Sequence, residues 1–250
     1  MNQLLNDQID ALPFRAHSCA ELMGKNGLGA TGQKRATYTL TEMTTGRTKS
    51  IKSKYLEKGT YNEQVSIDLT NKVLKTNYVK NEVRVYNEYL TGECDLLESD
   101  HIADIKTSWD LFTFKESCIE LDSGYEWQLR AYMELYNKPK ARLIYCLTDT
   151  PYWLVDNQLK PYTNEFGMID DELKAYQIIF NNIFTRKAFD DYMQMQTVLT
   201  RNEEIENSFI EIPEQDRVFT FDIERDKTKT ALLYARIKTA RDFLKQTFNK

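Results

Sequence analysis

Cysteine is scarce and scattered in this 250-residue sequence. Its four cysteines, Cys19, Cys94, Cys118 and Cys146, form no C-x-x-C pair. Structural zinc sites and iron–sulfur clusters usually include at least one such pair, so both kinds of site are disfavoured. A disulfide framework is also unexpected in a chain of this size. We therefore expect free thiols, most of them buried.

Long apolar runs and a secretory leader are missing as well. No stretch approaches the roughly 20 apolar residues of a transmembrane helix. The start, MNQLLNDQIDALPF, has neither a basic region nor an apolar core of the kind that secretory signals carry. The content of 41% hydrophobic and 12% aromatic residues is enough to build a core. These features predict one soluble domain over residues 1–250, cytoplasmic and without a membrane partner.

The sequence gives little support to histidine-based metal sites or to a serine hydrolase. His17 and His101 are the only histidines, and an ordinary surface histidine is favoured over a metal role for His101. No G-x-S-x-G elbow is present, which disfavours a serine hydrolase of that type. The glycine-rich residues 24–32 match no phosphate-binding fingerprint, and we interpret them as a mobile loop.

Charge is unevenly distributed along the chain. The net charge is −5, but residues 24–58 carry eight basic and two acidic side chains, a balance of +6 that leaves −11 for the rest. An acidic protein with a basic face can still hold a polyanion, because phosphate contacts act within a Debye length of about 10 Å. A solvated basic helix and loop is the alternative interpretation.

The order of predicted elements indicates an α/β fold. Helices are expected over 17–23, 33–45, 60–74, 124–137, 169–200 and 227–248. Strands are expected over 83–99 with a turn at Thr91-Gly92, over 101–114 where the strand runs out into a loop, over 141–157 with a break at Thr150-Pro151, and within 208–222. We predict a short mixed sheet flanked by helices, with a core at about 54–157 and a helical part at about 165–250.

Two carboxylates and a lysine stand out in the middle of the chain. If 101–108 is a strand, Asp104 and Lys106 point to the same face, because side chains alternate with period two. Pairing of two neighbouring strands in a hairpin would bring Asp95 alongside Asp104. Carboxylate oxygens suit Mg²⁺, and a lysine can position or deprotonate a water that attacks a phosphodiester.

The bare pattern D-x(n)-[DE]-x-K is weak, since about three chance matches are expected in a chain of this composition. Its surroundings add weight. Gln128 and Tyr132 lie four residues apart and share one face of a predicted helix. Glu63, on an earlier helix, is a third candidate carboxylate, although an ordinary exposed glutamate is the alternative. Aromatic side chains that could stack on bases, or simply fill the core, are Trp109, Trp127 and Trp153.

At these residues the sequence resembles the PD-(D/E)XK nuclease superfamily, and within it the phage lambda exonuclease/YqaJ viral recombinase family. The segments that carry the resemblance are KYLEKGTYNEQVSI (54–67), TGECDLL…HIADIKTSWD (91–110) and YEWQLRAYMELY (125–136). The resemblance covers roughly residues 14–155 and implies a restriction-endonuclease-like core with extra C-terminal helices.

The resemblance also implies roles for individual residues. Asp95 and Asp104 would be metal ligands, with Asp104 in place of the commoner Glu, and Ile105 would offer its backbone carbonyl. Lys106 would be the catalytic lysine and Glu63 a helix carboxylate near the metal. Residues implied to support the site or contact DNA are Gln128, Tyr132, Thr107 and Ser108, with Arg15 and Ser18 as candidates for holding a terminal 5′-phosphate, although their spacing is shorter than in relatives.

The implied function is a Mg²⁺- or Mn²⁺-dependent DNA exonuclease of phage or prophage type. It would resect one strand of a duplex end, 5′ to 3′, for a single-strand annealing protein, in the cytoplasm of a bacterial host. Relatives form rings, so a homo-oligomer such as a trimer is expected. The alternatives are a structure-specific or restriction-like endonuclease and a DNA-binding protein with a degenerate nuclease fold. An iron–sulfur nuclease is disfavoured, because the last cysteine is Cys146.

Overall fold

The computed structural model describes residues 2–50 and 52–248, so the predicted domain of 1–250 extends slightly beyond the described residues. The strands of the described ranges are β1 (Phe14–Arg15), β2 (Val85–Tyr86), β3 (Leu90–Gly92), β4 (Leu96–Leu97), β5 (His101–Thr107), β6 (Lys140–Cys146) and β7 (Val218–Glu224).

The α-helices are α1 (Asn2–Asp10), α2 (Gly29–Thr45), α3 (Lys54–Tyr61), α4 (Glu63–Leu74), α5 (Leu111–Ser117), α6 (Ser123–Leu135), α7 (Tyr152–Leu159), α8 (Glu172–Asn182), α9 (Arg186–Met195), α10 (Glu203–Asn207) and α11 (Lys227–Phe248). Short 3₁₀ helices cover Ala16–Leu22, Lys160–Tyr162 and Glu214–Asp216. None of the helices in the described ranges is long and apolar enough to cross a membrane.

The main sheet is mixed and has the order β4-β5-β6-β7. Strands β5 and β6 run parallel, with Asp104 opposite Leu143 and Lys106 opposite Tyr145. The outer pairs β4–β5 and β6–β7 are antiparallel. The predicted α/β class with a short mixed sheet flanked by helices is thereby confirmed. Strand β7 comes from the C-terminal part of the chain, which is therefore not purely helical.

Helices cover both faces of this sheet. On one face, Ile102 of β5 belongs to the largest hydrophobic cluster, together with Leu129 of α6 and Leu233 of α11. On the other face, Ile105 packs in a smaller cluster with Ile67 of α4. Alternate residues of β5 are thus buried against opposite helical layers, as the two-residue period of a strand requires. Asp104 and Lys106 share the face that carries α6.

The far C-terminus is tied to the start of the chain. Arg241 of α11 is buried, and its guanidinium donates a hydrogen bond to the Leu12 carbonyl at 3.0 Å. Leu244, one turn further along, is completely buried in the cluster that also contains Phe14 of β1. A separate apolar cluster joins helices α7 to α10, with Val155, Ile179 and Phe189 at its centre.

Two predicted helices are interrupted by side chains that bind elsewhere. The predicted helix 60–74 breaks at Asn62, whose amide donates hydrogen bonds to the Thr148 hydroxyl at 2.8 Å and the Asp149 carbonyl at 2.7 Å. The predicted tract 169–200 breaks between α8 and α9, where the Asp149 carboxylate accepts hydrogen bonds from the backbone N–H groups of Phe184 and Thr185. Both breaks depend on residues distant in sequence, which a local pattern does not contain.

Three other expectations about local structure were wrong. Residues 152–157 form α7 instead of a second strand, since Pro151 starts a helix after β6 ends. The strand within 101–114 ends at Thr107, and where a loop was predicted to follow it, Asp110 caps helix α5 through a capping box with Thr113. The glycine-rich segment 24–32 is not wholly a loop, since α2 already begins at Gly29.

Gly92 lies inside strand β3, so the predicted Thr91-Gly92 turn was also wrong. A Cβ atom at this position would stand 2.8 Å from the ring of Tyr132 and 3.0 Å from the Cβ of Ala16. Glycine is therefore needed here for close packing, and the absent side chain lets α6 approach the small sheet β1-β3-β2.

Substituting Gly92→Ala is expected to lower the free energy of unfolding by about 2 kcal/mol, because the ring of Tyr132 has to move out of a fully packed cluster. Urea unfolding followed by circular dichroism measures this loss. Gly59→Ala is the matched control, since a Cβ there meets no atom within 4 Å and the position is helical. Equal losses in both variants would contradict the packing role of Gly92.

Candidate active site

The β4–β5 hairpin places Asp95 beside the middle of β5. Asp95 directly precedes β4, and Leu96 pairs with Ala103 across the hairpin. The Oδ2 atom of Asp95 accepts a hydrogen bond from the backbone N–H of Ile105 at 2.7 Å. Asp95 is thereby fixed next to the residue that separates Asp104 from Lys106.

Asp104 and Lys106 contact each other on one face of β5. The Nζ atom of Lys106 lies 2.6 Å from Oδ2 of Asp104, whose side chain is 1% exposed. Gln128 of α6 donates a hydrogen bond to Oδ1 of Asp104 at 3.0 Å, and its amide lies 3.4 Å from the hydroxyl of buried Tyr132. Asp122 caps α6 by accepting from two backbone N–H groups, which fixes the start of the helix that carries Gln128.

The charges of the three groups are strongly coupled. Burial, followed by repulsion from the Asp104 carboxylate, raises the pKa of Asp95, although Lys106 and the Ile105 N–H oppose the rise. Burial alone would lower the pKa of Lys106, but the Asp104 and Asp95 carboxylates outweigh it and the pKa is raised. The site therefore holds two acids that repel each other and one ammonium between them.

A cavity of about 570 Å³ opens onto these groups. Predicted site residues that line it are Glu63, Asp95, Ile105, Lys106, Thr107 and Gln128. Glu63, the first residue of α4, forms an ion pair with Lys80 at 2.6 Å. Asp104 lies below the cavity surface, behind Lys106 and Gln128. The structure thus gathers the carboxylates, the lysine and the supporting glutamine around one space.

Several lining residues were not predicted from the sequence, namely His17, Tyr55, Leu56, Gly59, Thr60 and Tyr125. Tyr125 could have been found, because it lies three residues before Gln128 on the same helix face. The Nζ atom of Lys106 sits 4.8 Å from the centre of its ring. The other unpredicted lining residues lie on α3 or on the first 3₁₀ helix, and the positions of these helices depend on tertiary packing.

Divalent metal binding is consistent with the donors present. Oδ2 of Asp104 is buried and contacts the ammonium of Lys106 at 2.6 Å. Three His, Cys, Asp or Glu side chains do not converge into a ready-made metal cluster anywhere in the described ranges. Two carboxylates that repel each other nevertheless match the oxygen donors that Mg²⁺ or Mn²⁺ prefers. Asp95, Asp104 and the carbonyl of Ile105 are the residues that would hold the ion.

Only some of the residues predicted to contact phosphate line the cavity. Arg15 and Ser18 do not line the cavity, whereas His17 between them does. Arg15 lies 3.4 Å from Glu42, and the buried hydroxyl of Ser18 donates to the Arg15 carbonyl at 2.9 Å. Burial and then the charge of Arg15 lower the pKa of His17, so the positive field of Arg15 reaches the cavity wall.

Thr107, the last residue of β5, and Ser108, which follows it, have different surroundings. Thr107 lines the cavity and shares a hydrogen bond of 2.9 Å with the hydroxyl of Ser66. Ser108 is buried, and its backbone N–H donates to Cys146 as a continuation of the β5–β6 ladder. His101 contacts Tyr78 and Asp100 away from the cavity, which agrees with an ordinary histidine. Cys19, Cys94, Cys118 and Cys146 are all free, and three of the four are buried.

Lys58 anchors α3 against the strand that carries the site. Its side chain is 0% exposed, and Nζ donates a hydrogen bond of 2.7 Å to the carbonyl of Trp109. Burial lowers the pKa of Lys58 from its ordinary value of 10.5 to about 7, although the Asp149 and Asp110 carboxylates oppose the change. The residue was known from the sequence only as part of a basic segment.

The lowered pKa of Lys58 predicts that the free energy of unfolding depends on pH. Below pH 7 the folded protein bears the full penalty of a buried charge, and above pH 10.5 the penalty is gone. Between those values the unfolded chain holds a proton that the folded chain releases, so the free energy of unfolding rises with pH. Relative to Lys58→Met, we expect wild-type protein to gain about 2–3 kcal/mol between pH 7 and pH 9.

Urea unfolding at a series of pH values tests this expectation. Other groups, such as Asp95, also make stability depend on pH, but they are common to both proteins and cancel in the difference. Lys187→Met, at an exposed lysine of α9, should run parallel to wild type. Parallel curves for Lys58→Met and wild type would show that Lys58 titrates normally.

Comparison with known proteins finds likeness at the level of structure. No protein-family model matches the sequence, and no curated protein does. A phage-related exonuclease from Haemophilus somnus superposes with a TM-score of 0.68 at 22% identity, over 100% of this chain and 98% of that one. The alkaline exonuclease LHK-Exo from Laribacter hongkongensis gives a TM-score of 0.56 at 14% identity, over 95% and 93% of the two chains. Its complex with dAMP gives 0.53 at 13% identity. The predicted restriction-endonuclease-like class is confirmed: the chain shares its fold, over nearly its whole length, with these exonucleases.

Proposed function

We propose that this protein is a metal-dependent deoxyribonuclease that removes nucleotides from the ends of duplex DNA, 5′ to 3′. The observation that carries the proposal is the convergence of three groups: Asp95 and Lys106 line one cavity, and the buried carboxylate of Asp104 contacts the Lys106 ammonium. The fold shared with two exonucleases supports the same reaction class. The proposed cofactor is Mg²⁺ or Mn²⁺.

Each of these residues is proposed to have its own role in phosphodiester hydrolysis. Lys106, in contact with Asp104 and close to the Tyr125 ring, is placed as an ammonium to orient the attacking water and to stabilise the negative charge that develops on the phosphate. Gln128 keeps Asp104 in position through its hydrogen bond. A bound divalent ion supplies positive charge against the phosphate oxygens. Glu63 and Thr107 face the same cavity and would contact the ion's waters or the DNA backbone.

The remaining proposals concern the surroundings of the site. Arg15 and Ser18 are proposed to hold the terminal phosphate, with Ser108 and Tyr132 acting through the packing of the site. The duplex end is the proposed substrate, and a homo-oligomer such as a trimer and a single-strand annealing protein are the proposed partners. A bacterial cytoplasm is the proposed location.

Cleavage of defined DNA substrates tests the function. Linear duplex DNA labelled at either the 5′ or the 3′ end is incubated with Mg²⁺, with Mn²⁺ or with EDTA. Release of 5′-labelled mononucleotides with metal only is the expected result. Covalently closed circular DNA is included, because nicking of the circle would favour the endonuclease alternative. Binding of linear duplex without hydrolysis under all conditions would favour a degenerate nuclease fold and overturn the proposal.

A further inference from the structure

A second cavity, of about 600 Å³, lies between α4, the start of α7 and the segment leading into β7. It shares no lining residue with the cavity that contains Lys106. Its walls combine apolar and aromatic side chains with several polar and charged ones, namely Asn62, Asp68, Lys72, Thr148, Asp149, Thr150, Glu214 and Arg217. A concave space that combines apolar and polar groups is typical of a ligand site.

Arg217 is the unusual residue of this cavity. Its side chain is 6% exposed, and within the described residues its Nε has no hydrogen-bond partner. Buried guanidinium groups are normally paired, because an unpaired donor costs about 1–3 kcal/mol. An arginine that is largely buried, lacks a hydrogen-bond partner at Nε and forms part of a cavity wall is suited to binding an anionic group.

The carboxylates that line the same cavity are occupied by other partners. Glu214, three residues before Arg217, forms an ion pair with Lys72 at 2.5 Å. Asp149 accepts hydrogen bonds from Phe184 and Thr185. Asp68 accepts a hydrogen bond from Gln64 at 2.9 Å. Within the described residues, none of these three carboxylates forms an ion pair with Arg217.

The rim of the cavity presents aromatic rings to solvent. Tyr61, at the end of α3, is 66% exposed, and Trp153, in the first turn of α7, is 43% exposed. Tyr152 lies between the rim and the interior and donates to the Ala188 carbonyl at 3.1 Å. Exposed aromatic faces next to a cationic group are the combination on which nucleic-acid bases stack.

A shallow groove links this cavity to the candidate active site. The groove shares Tyr61 and Trp153 with the second cavity, and Leu56 and Thr60 with the cavity of Lys106. Lys52 and Glu57 both line this groove, so its formal charge is balanced. The outer face of α3 therefore forms one side of a continuous track that runs from Lys106 towards Arg217.

We propose that the second cavity binds a nucleotide unit, with its base against Trp153 and Tyr61 and its phosphate on Arg217. Two sources supply that chemistry: a single strand that leaves the candidate active site along α3, and a free nucleoside monophosphate. Only the origin of the nucleotide rests on the proposed nuclease function, since the binding itself depends on Arg217 and the aromatic rim.

Binding measured without cleavage tests the proposal. The full-length protein is titrated in EDTA with dAMP and, separately, with a 12-nucleotide single strand of deoxythymidylate, by isothermal titration calorimetry. Arg217→Met is expected to weaken binding by about tenfold or more, the loss typical of a charged hydrogen bond. Trp153→Ala, at a half-exposed position that tolerates substitution, is expected to weaken it by about fivefold or more. Arg236→Met is the matched control, because Arg236 also has a buried, unpartnered Nε but does not line the cavity.

The outcomes distinguish a single strand from a free nucleotide as the occupant, and the nucleotide site from the nuclease function. Weaker binding of both ligands supports a site for free nucleotide as well as strand, and weaker binding of the strand alone supports the strand as occupant. Unchanged affinity for both ligands in Arg217→Met and Trp153→Ala overturns the proposal, while duplex cleavage by wild-type protein would still stand. Conversely, if nucleotide binding depends on Arg217 but the protein cuts no DNA, the proposed nucleotide site is supported and the nuclease function is rejected.

Discussion

Lys106→Met is expected to slow the hydrolysis of linear duplex DNA by about 10³-fold. The Lys106 ammonium forms an ion pair with Asp104, and Lys106 lines the cavity where the scissile phosphate is proposed to sit. Methionine keeps much of the length and volume of lysine but carries neither charge nor proton. Single-turnover cleavage of an end-labelled duplex with saturating Mg²⁺ measures the chemical step directly.

The accompanying controls distinguish chemistry from folding and binding. Lys187→Met removes an exposed lysine of α9 that pairs with Asp191, and should cut at the wild-type rate. The circular dichroism spectrum of Lys106→Met should match wild type, and its affinity for duplex DNA should change by less than about threefold, since one phosphate contact is a small part of a DNA interface. A Lys106→Met enzyme that cuts at the normal rate would show that the catalytic assignment is wrong.

The second large effect is expected from Asp104→Asn. The amide keeps the shape of the carboxylate and can still accept the hydrogen bond from Gln128. It removes the negative charge of the carboxylate that contacts the Lys106 ammonium, and it leaves the Asp95 carboxylate to act on Lys106. We expect cleavage to fall at least about 100-fold, because a neutral amide is a poor substitute for a carboxylate in binding a hard divalent cation.

Metal affinity gives an independent measurement of the same substitution. Calorimetric titration with Mn²⁺ in the absence of DNA should show binding to wild-type protein and at least tenfold weaker binding to Asp104→Asn. Asp190→Asn, in an exposed ion pair with Arg186 on α9, is the matched control and should bind Mn²⁺ as wild type does. Equal Mn²⁺ affinity in Asp104→Asn and wild type would remove Asp104 from the proposed metal site.

The sequence was most informative where a short-range rule determines position. Period-two alternation along β5 was enough to place Asp104 and Lys106 on one face, and their side chains do contact each other. Hairpin pairing correctly brought Asp95 alongside, because only a short connection separates β4 from β5. The spacing of Gln128 and Tyr132 likewise predicted a shared helix face, and Gln128 reaches Asp104 from it.

Predictions failed where distant residues decide the structure. Gly92 was interpreted as a turn glycine, although it is required by the ring of Tyr132, forty residues later in the chain. Asn62 ends α3 because of hydrogen bonds to Thr148 and Asp149. The unpartnered Arg217 stands out only when its burial is known. No local pattern carries such information, since each depends on which elements pack together.

The bond between Arg241 and the Leu12 carbonyl joins residues that are 229 positions apart in the sequence. Strand β7 likewise pairs with β6 across a long intervening segment. Until these contacts form, the polypeptide holds an unpaired β6 edge and an uncovered apolar face, which are features that invite aggregation. Such non-local closure is expected to make folding slow.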